Sequence, residues 1–173
     1  MKKILIPALA VAMAVVLSAC GMGDVGGASS GASSQAASSQ AAVSKPDAGS
    51  YDDNLAGLEK YLAANSVLSG DPTEMKADFI GAVSGAKYQF GYNGNNNVTV
   101  ELYEFDPGSL NDSARAIQDE VKSKGSFTIM GQHVQAVLSD SGKYLMIYKD
   151  TSTADQNKAR QEEVTKLIKE FKK

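Results

Sequence analysis

Cysteine and histidine each occur once in this chain, as Cys20 and His133, and tryptophan is absent. A Cys/His nucleophile pair or a cysteine-rich metal site needs more thiols and imidazoles than that, and a histidine-assisted serine would have only His133 to use. His133 itself reads as a strand residue beside a turn, exposed or hydrogen-bonded. Carboxylates are the remaining acid-base groups. Asp52 with Asp53, Asp119 with Glu120, and Glu162 with Glu163 are sequence neighbours on helical stretches, so each pair points in two directions and cannot converge on one substrate atom. Glu101, Glu104 and Asp106 could gather at a strand end, but no Asp-x-Asp-x-Asp-Gly loop accompanies them to define a calcium site. Asn93 to Asn97 is hairpin-turn chemistry and not a phosphate loop. No metal or cofactor is expected.

The surroundings of Cys20 are more informative than its thiol. Lys2 and Lys3 precede an apolar run from Ile4 to Leu17, broken only by Pro7, which is too short to remain across a bilayer and has the layout of a secretory signal. The run closes on Leu17, Ser18, Ala19, Cys20 and Gly21. These residues resemble the lipobox of bacterial lipoproteins. The resemblance implies a signal peptide over residues 1–19, diacylglycerol on the Cys20 sulfur, and cleavage just before it. The mature chain would then carry no free thiol and would hold its membrane through acyl chains on Cys20, since two chains anchor where one binds only marginally. Gly21 is not the aspartate associated with inner-membrane retention in Gram-negative bacteria. The expected location is the outer face of a Gram-positive plasma membrane, or the outer membrane if the cell is Gram-negative.

From Gly21 to Ser50 the composition turns to Gly, Ser, Ala and Gln, with SSQAA at residues 33–37 repeated at 38–42. Such a segment has too little apolar surface to offset the entropy of ordering, so residues 20–50 are expected to form a flexible tether reaching roughly 30 Å, at about 5 to 6 Å times the square root of its length. Residues 51–173 remain as one domain. The net charge of −3 argues against nucleic acid and against a polybasic hold on lipid. The domain is expected to be monomeric.

The elements that would position any site follow from periodicity. Asp52 or Asp53 can cap a helix with Leu55, Leu58 and Leu62 on one face, and Asp71 with Pro72 reads as the start of a short second helix. A hairpin follows. Pairing Tyr92 with Val98, Phe90 with Val100 and Tyr88 with Leu102 makes one face wholly apolar. Leu110, Ala114, Ile117 and Val121 mark a further helix. Ser126 onward reads as a three-strand meander that turns at Gly131 and Gln132 and again near Asp140 and Ser141. Pairing Met130 with His133 and Ser139 with Gly142 puts Phe127, Ile129, Val134, Ala136, Leu138, Leu145 and Ile147 on one face. A last helix, from Ser152 or Thr153 onward, turns Val164, Leu167, Ile168 and Phe171 inward. The expected fold is α+β, with a mostly antiparallel sheet of hairpin plus meander packed by helices in the order α-α-β-β-α-β-β-β-α.

The meander's second face carries Met130, His133, Tyr144, Met146 and Tyr148, residue types that bind partners well because they offer large contact area at moderate entropic cost. These five are the candidate interaction surface; the alternative is that the last helix covers them as core. Leu58 to Phe105, with the strand Glu101, Leu102, Tyr103, Glu104 and Phe105 after a glycine-rich turn, resembles small uncharacterised lipoproteins of Gram-positive bacteria. That resemblance transfers no catalytic or binding residue. The function expected is a membrane-anchored, extracytoplasmic, non-catalytic binding or accessory module, with a membrane protein or cell-wall polymer as partner. The alternative is a small exported enzyme acting on wall polymer through carboxylates. A two-lobed solute-binding subunit is disfavoured because one small domain has no hinge cleft.

Overall fold

The structure is a computed structural model and describes residues 45–173. Its centre is a five-stranded antiparallel sheet in the order β1-β2-β3-β7-β6, built from β1 (Thr73–Glu74), β2 (Ser84–Phe90), β3 (Val98–Glu104), β6 (Val137–Leu138) and β7 (Tyr144–Asp150). β4 (Ser126–Ile129) and β5 (Gln132–Gln135) form a separate two-stranded sheet. Three helices complete the fold: α1 (Leu55–Ala64), α2 (Asp112–Lys124) and α3 (Asp155–Glu170). The α+β class and the mostly antiparallel sheet are as the pattern predicts.

Each face of the large sheet has its own cover. Ala86, Tyr88, Val98, Val100, Leu102, Tyr144, Met146 and Tyr148 pack under Leu58, Tyr61 and Leu62 of α1 and Val164, Leu167 and Ile168 of α3, with Phe171 just beyond that helix. On the other face Tyr103, Leu145 and Ile147 meet Ala114 and Val121 of α2 and Phe127 of the small hairpin. β7 therefore runs from Tyr144 to Tyr148 with every residue buried, which is the position of a central strand covered on both sides. Asn54 and Asn111 start α1 and α2 by accepting hydrogen bonds from the Gly57 and Ala114 backbone N–H groups.

Several details differ from the expectations. The second helix is one 3-10 turn at Asp78–Ile80, and Asp71 with Pro72 leads instead into the edge strand β1. Proline lacks the N–H a central ladder needs, so the approach to an edge strand suits it. The hairpin pairs Phe90 with Val98 and Tyr88 with Val100, so its connecting loop is two residues longer than expected. Asn97 causes this. Its side-chain oxygen accepts from the Tyr92 N–H and its amide donates to the Tyr92 carbonyl, both at 3.0 Å, taking the place of one rung of the ladder.

The meander is split. Phe127 pairs with Val134 and Thr128 with His133, so the turn consists of Met130 and Gly131, at φ 48° and 76°, the two positive values a type I′ hairpin turn requires. At Ala136 the chain leaves that hairpin, its N–H donating to the Gly125 carbonyl, and enters the large sheet as β6. Finally, Ala48–Ser50 is an ordered 3-10 turn capped by Asp47, and Ala48 packs against the core, so ordered structure begins before Tyr51.

Candidate functional site

Cys20, with the rest of the expected signal and most of the expected tether, lies outside the described residues. The five residues of the expected interaction surface fall in two places, which corrects that expectation. Tyr144 and Met146 are fully buried and Tyr148 nearly so, under α1 and α3. Met130 is 98% exposed at the tip of the β4–β5 hairpin, and His133 is exposed on β5 with its Nδ1 3.2 Å from Thr128 Oγ1. The Tyr/Met face is core because α3 covers it. The unbroken apolar run Tyr144 to Tyr148 is the signature of a doubly covered strand, so the signal was present in the sequence.

The strand-end carboxylates do not converge either. Glu101 accepts from the Tyr103 hydroxyl at 3.1 Å, on the α2 side of the sheet, while Asp106 accepts from the Gly108 N–H in a turn. Glu104 points to the opposite side. Its Oε2 accepts from the first N–H of α1, on Leu55, at 2.9 Å and from Ser84 Oγ at 3.2 Å, and its Oε1 lies 3.4 Å from Lys143 Nζ. Lys143 also reaches Asp53 Oδ1 at 3.3 Å, and that oxygen accepts from the Tyr144 hydroxyl at 2.7 Å. A helix N-terminus with its unpaired donors favours negative charge, so Glu104 fastens α1 to the sheet. The Tyr144 hydrogen bond, opposed by partial burial and aided by Lys143, holds Asp53 below its ordinary range.

A second polar cluster closes the other end of that face. Asp150 accepts from Asn97 Nδ2 at 2.7 Å, Asn157 Nδ2 at 2.6 Å and the Ser152 N–H at 2.8 Å. Burial alone would raise Asp150, but these donors together hold it low. Arg160 lies over the Tyr92 ring, 4.6 Å from its centre. For Asp53 and Asp150, a folded value below the unfolded one means that the stabilisation is present above the ordinary aspartate value of 3.8 and is lost as pH falls through the lowered ones. Urea midpoints are thus expected to drop on acidification from about pH 5 to about pH 2, and Asp150→Asn should make that drop shallower. An unchanged slope in the variant would contradict the assignment.

What remains open to a partner is elsewhere. Between α1 and the β1 edge lies a groove of about 320 Å³, walled by Leu55, Pro72 and Val83 and bearing the carboxylates of Glu59 and Glu74. Val83 is 64% exposed. Burial pushes the Glu59 carboxyl up, partly offset by the Tyr88 hydroxyl beside it. Sequence reasoning missed this groove, because residues from α1, β1 and the start of β2 meet there only through the tertiary fold and no local spacing announces it. The fold therefore defines an α+β domain with a doubly covered sheet. Compared with known proteins, the chain matches no family model, no curated protein and no solved structure.

Proposed function

We propose that the chain is a lipid-anchored extracytoplasmic lipoprotein whose α+β domain is a non-catalytic binding or accessory module. The observation that carries this reading is the sequence from Lys2 to Gly21: a charged start, an apolar run of signal length, and a lipobox-like ending on the one cysteine. The Gly/Ser/Ala/Gln segment after it suits a tether that holds the domain near the outer face of the membrane. On the domain itself, the reading is supported by the duties of the carboxylates. Glu104 and Asp53 secure α1, Asp150 secures the sheet end, and Glu101 and Asp106 point away from them, which weighs against an acid-base pair acting on wall polymer.

The test is Cys20→Ser in the native cell with labelled palmitate. The variant should lose the label and accumulate as uncleaved precursor or appear in the medium. Processing and membrane retention equal to the parent would overturn the lipoprotein reading.

A further inference from the structure

The groove beside β1 combines three properties that together specify a ligand. Its walls are aliphatic, it carries two carboxylates and no basic residue, and it opens on the free edge of the large sheet. Among the described residues, neither Glu59 nor Glu74 takes part in an ion pair. A half-buried carboxylate without a cation is a standing electrostatic cost that a long-stemmed ammonium would relieve, its methylenes lying along Leu55, Pro72 and Val83 and its charge at the acids.

The strand geometry says how such a group would arrive. β1 is the terminal strand, paired only with β2, and both its residues are exposed. Glu74 is opposite Ala86, so the two share the face that α1 covers. A further strand laid along β1 would place the residue opposite Glu74 on that same face, side by side with the Glu74 carboxylate. Opposite charge is the favoured neighbour there.

We propose that the groove is the seat of a lysine side chain carried by an extended segment of a partner protein, which adds to the open edge of β1. Main-chain hydrogen bonds along the edge supply affinity, and the acidic groove supplies the choice of residue. This rests on the binding-module reading and narrows it to one surface and one partner chemistry.

The probe is an acetylated, amidated pentapeptide of threonine and valine with lysine at its centre, titrated calorimetrically into the full chain in neutral detergent at low salt. Saturable binding is expected, weakened about threefold to tenfold by Glu59→Gln, by Glu74→Gln, and by norleucine in place of the peptide lysine. Glu74 is exposed, so its variant keeps the test valid even if Glu59→Gln perturbs α1. Glu162→Gln, on the far surface of α3, should have no effect. Equal affinity for the norleucine peptide, an equal loss with Glu162→Gln, or no saturation by about 5 mM would overturn the proposal. So would a dimer in sedimentation that Val83→Lys dissociates, since the edge would then belong to a second copy of the chain. A failure here leaves the Cys20→Ser result standing, so loss of this proposal is distinguishable from loss of the lipoprotein reading.

Discussion

Tyr144→Ser is expected to destabilise the domain by about 3 to 5 kcal/mol, the range for truncating a buried aromatic side chain. Tyr144 is fully buried on the central strand, its ring 5.3 Å from that of Phe171 in an edge-on arrangement, and Phe171 stacks in turn at 5.2 Å on Tyr61 of α1. Removing the ring takes away the element to which α1 and the end of α3 both adhere. The hydroxyl is a separate and smaller contribution. Tyr144→Phe keeps the ring but strips Asp53 of its 2.7 Å donor, for a loss of about 1 kcal/mol. Tyr148 supplies a contrast, because its buried hydroxyl has no partner. Tyr148→Phe should therefore be neutral or stabilising. Met130→Ser, at a fully exposed position, should stay within about 0.5 kcal/mol. Urea denaturation of the four variants distinguishes a covered Tyr/Met face from an open one, and a Tyr144→Ser loss as small as that of Met130→Ser would refute the packing described.

Gly57→Ala is expected to destabilise as well, against the usual rule for helices. Alanine inside a helix normally gains about 0.5 to 1 kcal/mol over glycine. Here an added Cβ would stand 1.9 Å from the Asp52 carbonyl oxygen and within 3 Å of the Asp52 carbonyl carbon and nitrogen. Backbone cannot swing aside as a flexible side chain can. The segment would have to lift, and Asp53 with it, away from Tyr144 and Lys143. A net loss of about 1 to 3 kcal/mol follows, as for overpacking elsewhere. Because the two sites share Asp53, Gly57→Ala and Tyr144→Phe should be non-additive in combination. A gain in melting temperature for Gly57→Ala would show that Asp52 is free to move.

Faces were legible in the sequence; partners were not. The hairpin after β2, the β4–β5 hairpin and the β6–β7 pair all pair two residues away from the registers that the apolar pattern suggests, Leu138 for example meeting Leu145. A period-two pattern fixes only the parity of a register, and a shift by two leaves every side chain on its own face. The turns decide the remainder through particular side chains: Asn97 imitating a ladder rung, Met130 accepting a positive φ, and Ser139 Oγ accepting from the Tyr144 N–H at 3.0 Å. For the candidate site, the pattern put Tyr144, Met146 and Tyr148 correctly on a shared face; alternation alone does not say whether a helix lies across it, and only the unbroken apolar run from Tyr144 to Tyr148 pointed to cover on both sides. The acidic groove was illegible for a different reason, since its residues are brought together from positions 55 to 83 by the pairing of β1 with β2 and the crossing of α1.

The entry of the chain into the domain has a mechanical consequence. Residues 47–54 are held by contacts spaced along the backbone: Lys172 Nζ on the Gly49 carbonyl at 3.1 Å, the Tyr51 ring against Tyr61 at 5.5 Å, and Asp53 on Tyr144 and Lys143. A pull applied at residue 45 loads these one after another, as a zipper is loaded, whereas the paired strands of the large sheet would share a load among many hydrogen bonds. Peeling residues 47–54 would free a stretch whose fully extended length is about 25 to 30 Å while the sheet stays intact. The chain thus carries a short yielding section in series with whatever holds its N-terminal side, and under rising tension this section gives way before the core does.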